Sequence, residues 1–281
     1  MKPFSHRVGA TAPPRSLQVG DMDDALRSSL WNTLSMVLDG LPYPTSDPAW
    51  SLAARCVAAY VLKIPADDFD IVQMPRLWLR RRFLSEPWFT VYDMVEHLVE
   101  RSLAGDFGPN AIGLLACMDE TLKAELAGYR YIRDVLSPIS DDIEKEAIEA
   151  ALTESPESAR FSGAREHLAT ALHLLGKKPE PDYRNSMKES ISAVESAVRA
   201  LPGMNETNFR KALAKLAKQV GIHRVLEDAF CKLFEYTSDE DGVRHGIVDD
   251  PSVGFDEAKF LLVACSAFVN FLVAKSAALP A

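Results

Sequence analysis

Apolar residues recur at every third or fourth position along most of the chain, which is the period of an amphipathic α-helix. The first such helix is expected to follow Asp21, placed as its N-cap, and to end near Gly40 and Pro42. Its apolar positions are Leu26, Leu30, Leu34, Leu38 and Leu41. Further helices are predicted over 48–62, 86–103, 110–126, 141–152, 156–175, 182–201, 205–220, 223–236 and 256–279. The pattern predicts a mostly α fold, built as a multi-helix bundle.

One short stretch departs from this helical period. Tyr129, Tyr131 and Val135 favour a strand, and Arg133 and Asp134 are placed to turn the chain. We therefore expect a small β-hairpin near 129–139, which is the only strand signal in the sequence.

The clearest break in the pattern is GDFGPN at 105–110, where two glycines and a proline interrupt the helices. A boundary there gives an N-terminal helical subdomain over 1–107 and a second helical subdomain over 108–281. The length of 281 residues fits either two closely packed subdomains or one large domain.

Composition places the chain among globular proteins, since 47% of its residues are apolar and 25% are charged. A net charge of -9 disfavours nonspecific attraction to nucleic acid or to an anionic membrane, although a local basic face can still bind. The N-terminus has no apolar signal-peptide core, and the apolar run at 260–274 is short for a membrane span and contains Ser266 and Asn270. The sequence thus predicts a cytoplasmic protein with a buried central helix and no membrane partner.

No motif for a metal, a nucleotide or another cofactor occurs in the chain, and none of these groups is expected. The four cysteines, Cys56, Cys117, Cys231 and Cys265, lie far apart and lack the paired spacing of zinc or redox sites. Each falls in an apolar helical pattern, so all four are expected to be reduced thiols in the core.

Two helical stretches carry cations that form either a solvated face or a binding surface. One is 75–84, PRLWLRRRFL, whose arginines either cover apolar surface with their stems or bind a partner or nucleic acid. The other is 205–220, where Lys211, Lys215 and Lys218 share one face that is either solvated or binds RNA or a partner.

The helix after Asp182 has cations near its N-terminus, where the helix dipole disfavours them. Arg184 and Lys188 are also like charges one turn apart, so a nearby carboxylate or a bound anion would offset the cost. Asn185 and Glu189 have the same spacing and are expected to form a second polar pair on another side. This helix is therefore a candidate for binding an anion or RNA.

The strongest chemical signal is Arg244 beside His245, in the segment FEYTSDEDGVRHG at 234–246. The guanidinium presents a fork of donors suited to a phosphate, and the imidazole exchanges a proton near neutral pH. Glu189 is the candidate to orient or buffer these two groups. The alternative is structural: Arg244 forms an ion pair with Glu189 or with an acid at 238–241, and His245 packs at the base of the last helix.

Five segments, spread over most of the chain, together resemble the N-terminal domains of AbiJ-type abortive-infection proteins. They are FSHRVG at 4–9, LQVGDMDDALRSSLWNTL at 17–34, YRNSMKESISAVESAV at 183–198, LFEYTSDEDGVRHG at 233–246 and AKFLLVACSAFVNFL at 258–272. The resemblance implies that the 108–281 subdomain is HEPN-like, one of the compact antiparallel helical units that bind or cleave RNA in phage defence or toxin systems. It also implies a homodimer that is a metal-independent ribonuclease or an RNA-binding relative.

In active HEPN nucleases the catalytic residues are an Arg and a His with four to six residues between them. Nothing after Arg244 supplies such a His, because His245 is adjacent to it. Arg160 and His167 do have six residues between them and would share a helix face. With 6 histidines and many arginines in the chain, this match reflects either function or chance.

Three hypotheses for function follow from these observations. The first is an RNA-directed module of a phage-defence or toxin system, with metal-independent cleavage through attack of a 2′-hydroxyl on the adjacent phosphate. The second is a noncatalytic helical adaptor that dimerises, senses and binds a partner protein. The third is an enzyme acting on a small phosphorylated ligand in a pocket beneath Arg244.

Overall fold

The structure, a computed structural model, describes residues 17–40, 48–108, 113–155, 158–177, 180–201, 208–238 and 254–276. Over these residues the chain is 75% helical, with 12 helices and one two-stranded antiparallel hairpin. The mostly α fold with a small hairpin is therefore confirmed. Contacts between residues divide the chain into two compact units, Met1–Ser140 and Asp141–Ala281, which we call unit 1 and unit 2.

The described part of unit 1 consists of six helices and the hairpin. The helices are α1 (Asp24–Asp39), α2 (Pro48–Cys56), α3 (Phe69–Gln73), α4 (Pro75–Ser85), α5 (Trp88–Leu103) and α6 (Leu114–Ala124); α2 continues as a π-helical turn (Val57–Val61), and the strands are β1 (Arg130–Ile132) and β2 (Val135–Ser137). α1 packs along α6, α2 packs along α4, and α5 packs against the π-helical turn.

The core of unit 1 forms where the apolar faces of these helices meet. The rings of three residues lie together, with Trp31 5.4 Å from Trp50 and 5.7 Å from Phe83 between centroids. This aromatic cluster joins α1, α2 and α4. Beside it, α1 buries the leucines that its sequence period marks, Leu26, Leu30, Leu34 and Leu38.

The start of α1 is fixed by a neighbouring segment of the chain. Asp23 is the N-cap, and its side chain accepts a hydrogen bond from the Leu26 backbone N–H at 2.8 Å. The prediction of Asp21 as the cap is wrong. The reason is that Gln18 Oε1 accepts from the Asp23 N–H at 2.7 Å and so sets where the helix begins.

Gln18 also belongs to a clamp that holds this segment against the chain before β1. Its backbone N–H donates to the Leu126 carbonyl at 3.0 Å, and its carbonyl accepts from the Gly128 N–H at 2.8 Å. Its side-chain amide donates to the Glu125 carbonyl at 2.9 Å. Leu126 has a φ of 53°, a left-handed conformation that these hydrogen bonds hold in place.

A buried ion pair joins the hairpin to α6. Arg130 in β1 donates from Nε and Nη2 to the two carboxylate oxygens of Asp119, each at 2.8 Å. Asp119 Oδ1 also accepts from the Tyr131 backbone N–H at 2.7 Å. The chain then turns at Arg133 and Asp134 as predicted, with a φ of 55° at Arg133.

The described part of unit 2 also consists of six helices. They are α7 (Asp142–Leu152), α8 (Ser162–Gly176), α9 (Tyr183–Arg199), α10 (Phe209–Val220), α11 (Arg224–Ser238) and α12 (Phe255–Ser276), with a 3₁₀ turn (Ala159–Phe161) before α8. α9 packs along both α8 and α12. α7 and α9 begin at the predicted caps Asp141 and Asp182, whose carboxylates accept from backbone N–H groups of the first helical turn.

α12 is the apolar helix that the sequence places at the centre of a bundle. It packs against α7, α8 and α9 and buries Leu261, Leu262, Cys265, Phe268, Val269 and Leu272. Its Asn270 side chain is satisfied internally, since Nδ2 donates to the Ala147 carbonyl at 2.8 Å. By length and composition alone, α12 is the one helix in the described part of the chain that could cross a membrane. Its contacts with three other helices are those of a core helix.

The division between the two units falls at Ser140, later in the chain than the boundary expected at 107. α6 lies in unit 1 because it packs along α1 and because its Asp119 holds β1. The glycine-rich break after α5 therefore lies inside unit 1.

Candidate functional site

Of the three residues predicted to be catalytic, only one lies in the described part of the chain. Arg244 and His245 fall outside the described residues, so their proposed role stays a prediction. Glu189 lies in the middle of α9, on the side of that helix that faces α8.

α8 and α9 form an antiparallel pair whose register is fixed at several points. Ser186 Oγ donates to the Ala171 carbonyl at 2.8 Å, and the Asp182 N–H donates to the Leu174 carbonyl at 3.0 Å. At the other end the helices approach so closely that a Cβ on Gly163 would lie 2.6 Å from Ser196 Oγ. The pairing leaves little freedom for the side chains between these points.

His167 and Glu189 face each other across this helix pair. His167 Nδ1 lies 2.6 Å from Glu189 Oε2, and the two side chains are 41% and 24% exposed. Because a carboxylate only accepts hydrogen bonds, the contact places a proton on Nδ1. Nε2 is then the ring nitrogen that can exchange a proton with a ligand.

The cations predicted on α9 lie in its first two turns. Lys188 is exposed and Arg184 is half-buried. Asn185 does not pair with Glu189 as expected, because its side-chain amide donates to Asp182 Oδ2 at 2.8 Å. Asp182 caps the helix and already accepts from the Asn185 backbone N–H at 3.1 Å, so the Asn185 side chain completes a local contact with the same carboxylate.

The predicted lysine face is present on α10. Lys211, Lys215 and Lys218 are all exposed, and the opposite side of the helix buries Phe209, Ala212, Leu213, Leu216 and Ala217. Arg210 lies apart from this face, in an ion pair with Glu235 of α11. Unit 2 thus carries an imidazole–carboxylate pair on α8 and α9 and a basic strip on α10, which packs against α9.

A family model described as AbiJ N-terminal domain 4 matches residues 2–154, more than half of the chain. The chain belongs to this family. Membership associates it with abortive infection, a form of phage defence. No curated protein matches the chain, and no solved structure matches it.

The AbiJ N-terminal domain covers unit 1 and reaches α7 of unit 2. The segments at 4–9 and 17–34 that resemble such domains lie inside the match, whereas those at 183–198, 233–246 and 258–272 lie beyond it. The His167–Glu189 pair is therefore outside the AbiJ N-terminal domain, and the HEPN-like assignment of that part stays a prediction.

Inside the AbiJ N-terminal domain, a group of titratable side chains lies where α5 meets the π-helical turn. Single π-helical turns are frequent at functional sites, so this group is a second candidate site. The His97 ring lies 5.4 Å from the Tyr60 ring. Burial, followed by the positive charges of Arg101 and Lys63, lowers the pKa of His97, so its imidazole is neutral at pH 7. Among the described residues its Nε2 has no hydrogen-bond partner. These features fit a packed ring better than a group that exchanges protons.

The expectation that all four cysteines lie in the core is wrong for one of them. Cys56, Cys231 and Cys265 are buried, and burial raises the pKa of each, to about 12 for Cys265. Cys117 is exposed because the buried stripe of α6 runs through Leu114, Met118 and Leu122, beside it. No disulfide and no metal-binding group of three or more His, Cys, Asp or Glu side chains occurs in the described part of the chain.

The sequence pattern does not predict that His167 is the partner of Glu189. It links Glu189 to Arg244 and His245, whereas His167 enters only through its spacing from Arg160. Arg160 is exposed in the 3₁₀ turn that leads into α8, two turns before His167. That spacing is the one signal in the sequence that points to the site.

Proposed function

We propose that this protein is an RNA-directed module of a phage-defence system, acting in the cytoplasm, and that unit 2 is a metal-independent ribonuclease. The observation that carries the proposal is the 2.6 Å contact between His167 Nδ1 and Glu189 Oε2 on a partly exposed helix pair. An imidazole held by a carboxylate through one nitrogen is suited to proton transfer at the other. The membership in an abortive-infection family supplies the biological setting.

The proposed reaction is cleavage by the 2′-hydroxyl group of the RNA itself. His167 Nε2 takes the proton of the 2′-hydroxyl while O2′ forms a bond to the adjacent phosphorus and the bond from phosphorus to O5′ breaks. The proton then passes to O5′, leaving a 2′,3′-cyclic phosphate and a 5′-hydroxyl end. Glu189 keeps the ring oriented, and Arg160, whose spacing from His167 matches that of active HEPN nucleases, stabilises the charge on the phosphate oxygens.

Replacing His167 by Ala is expected to lower the cleavage rate of RNA in EDTA by at least about 100-fold, because a general acid–base group is removed. Glu189→Gln is expected to lower the rate less, since the ring remains. The matched control is His173→Ala, which removes an exposed histidine of the same helix and should leave the rate unchanged. Cleavage of labelled RNA by purified full-length protein, with the cyclic phosphate identified by mass spectrometry, measures these rates. Equal rates for the His167→Ala and His173→Ala variants would contradict the assignment.

The double variant Arg244→Ala with His245→Ala tests the other predicted pair in the same assay. Loss of cleavage in this variant alone would move the catalytic assignment to those residues. Loss of cleavage both in this double variant and in His167→Ala would place His167, Arg244 and His245 in one reaction. A folded parent protein that leaves RNA intact in every condition would remove the ribonuclease proposal.

The lysine face of α10 is the surface proposed to bind the RNA backbone, because three exposed lysines follow one side of the helix. Replacing Lys211 and Lys218 by Gln is expected to weaken RNA binding. The slope of log K against log salt should also become shallower, by about 0.7 for each phosphate of a single strand that the protein ceases to neutralise. Fluorescence anisotropy with single-stranded RNA over a salt series measures both quantities. An unchanged slope would contradict the proposal that this face binds RNA. The control is Arg199→Gln, which removes an exposed cation of α9.

The second candidate function is a noncatalytic adaptor, and an exposed apolar surface on unit 1 favours it. Phe69 and Val72, both on α3, are 71% and 48% exposed. Large apolar groups left in water on a folded domain commonly mark a protein interface. An adaptor would leave RNA uncleaved in the assay above.

A further inference from the structure

An exposed apolar surface extends over α3 and α4 of unit 1. Its members are Phe69, Val72, Met74, Leu77 and Leu84, which are 38% to 71% exposed. α3 buries only one residue, Ile71, so most of this helix faces away from the core. We call these five residues the α3–α4 face.

A pocket of 490 Å³ shows that the two helices contribute to one continuous surface. Gln73 and Met74 line it from the end of α3, and Leu77 and Arg80 line it from α4. Helical spacing extends the surface on both sides, since Phe69 lies one turn before Gln73 and Leu84 lies one turn after Arg80. The indole of Trp31, part of the aromatic cluster, also lines the pocket. The pocket is large enough to accept an aromatic side chain.

The two ends of the α3–α4 face carry opposite charge. Asp67 and Asp70 are exposed beside Phe69, at the α3 end. Arg80 and Arg81 are exposed at the pocket end, and neither forms an ion pair within the described part of the chain.

The other two arginines of α4 are already engaged. Arg76 lies 2.8 Å from Asp39 and stacks over the Trp50 ring at 5.2 Å. Arg82 lies 3.1 Å from Glu86. Only two cations of this helix are therefore offered to a partner.

We propose that the α3–α4 face binds the same face of a second copy of this chain through a two-fold axis. In such an interface every contact occurs twice: residue i of one copy touches residue j of the other, and residue j of the first copy touches residue i of the second. The acidic end of one copy then meets Arg80 and Arg81 of the other, twice. Phe69 of each copy, the most exposed member of the face and adjacent to the acidic end, enters the other copy's pocket beside Arg80.

Charge and shape on this surface favour a second copy over nucleic acid. Nucleic-acid binding needs several unpaired cations free of nearby carboxylates. Here Asp67 and Asp70 would repel a phosphate backbone next to the two available arginines. Exposed Phe, Met and Arg around an apolar centre are also the composition of a protein interface. The proposal concerns unit 1 and is independent of the ribonuclease proposal for unit 2.

Three full-length variants test this arrangement. The basic-end variant is Arg80→Glu with Arg81→Glu, and the acidic-end variant is Asp67→Lys with Asp70→Lys; Asp68 is kept because it caps α3. Arg55→Glu reverses an exposed arginine of α2, outside the face, and is the control. Sedimentation equilibrium gives the dimer dissociation constant of each, and native mass spectrometry identifies mixed species.

The parent and the Arg55→Glu control are expected to dimerise equally. Each face variant alone should dimerise at least about tenfold more weakly, because like charges then meet at both ends of the interface. An equimolar mixture of the two face variants should recover dimerisation as a heterodimer, since every charged contact is again between opposite charges. This recovery also shows that both variants are folded.

Each of the remaining outcomes would overturn the proposal. A parent that stays monomeric up to its solubility limit has no such interface. Face variants that dimerise like the parent would place the interface elsewhere. Variants that weaken dimerisation but form no heterodimer would exclude the two-fold arrangement.

Discussion

Replacing Asp119 by Ala is expected to lower the free energy of unfolding of unit 1 by about 3–5 kcal/mol. Asp119 and Arg130 are both buried, with exposed fractions of 7% and 4%. The substitution leaves the guanidinium in the interior without its carboxylate, and the Tyr131 N–H also loses its acceptor. The hairpin is the part most directly affected, because this ion pair holds β1 on α6.

Tryptophan fluorescence during denaturation with urea measures this change selectively. All four tryptophans, Trp31, Trp50, Trp78 and Trp88, lie in unit 1, so the signal reports unit 1 and not unit 2. The control is Glu86→Gln, which removes a half-exposed ion pair with Arg82 and should change stability by less than about 1 kcal/mol.

The double variant Asp119→Leu with Arg130→Met separates the cost of an uncompensated charge from the value of the pair. Replacing both partners by apolar groups of similar size removes the buried charges together, so the double variant should be more stable than Asp119→Ala alone. A loss in Asp119→Ala no larger than that of Glu86→Gln would mean that the ion pair does not hold the hairpin.

Most of the fold follows from patterns that are local in the sequence. The leucine period of α1, the caps Asp141 and Asp182 and the turn at Arg133 each depend on residues a few positions apart. Helix spacing, caps and turn residues express preferences of the chain itself, so they can be inferred before any packing is known. The error at Asp21 shows the limit of such inference. Either aspartate satisfies the cap rule, and the choice of Asp23 comes from Gln18, which is held by a segment that lies far along the chain.

The candidate site is less predictable because its partners lie on different helices. His167 and Glu189 are separated by a loop, and their contact depends on the register between α8 and α9, which is set by Ser186 and Gly163. Spacing within one helix gives Asn185 as the partner of Glu189, and the cap at Asp182 competes for that amide. The Asp119–Arg130 ion pair likewise cannot be predicted from the sequence, since nothing in the separation of the two residues indicates a contact.

The two proposed properties, dimerisation and RNA cleavage, are assigned to different units and can be tested separately. Unit 1 carries the α3–α4 face, which lies within the residues that match the family model. Unit 2 carries His167 and the lysine face of α10. A ribonuclease that depended on dimerisation would lose activity in the α3–α4 face variants and regain it in their mixture. Activity that is unaffected by those variants would assign the two properties to independent surfaces.

Replacing Gly128 by Ala is expected to destabilise unit 1 by about 3 kcal/mol, near the upper end for overpacked sites. An added Cβ would lie 2.6 Å from the Gln18 carbonyl oxygen and 2.7 Å from the Val19 Cα. Both are backbone atoms, so no side-chain rotation can relieve the overlap, and the clamp itself must open. The hydrogen bonds that Gln18 makes to Glu125, Leu126 and Gly128 would then break or lengthen, each worth about 1 kcal/mol.

The control for this substitution is Gly20→Ala, in the same clamped segment, where an added Cβ would meet no heavy atom within 4 Å. Gly20→Ala should leave stability unchanged or raise it slightly, because alanine restricts the unfolded chain more than glycine does. Opening of the clamp should also release the Asp23 N–H from Gln18 and fray the start of α1, which amide hydrogen exchange at Leu26 would detect. Equal stability and equal exchange in the two variants would show that the close approach at Gly128 does not constrain the fold. A loss confined to Gly128→Ala would instead identify the clamp as the element that positions α1, and with it the aromatic cluster around Trp31.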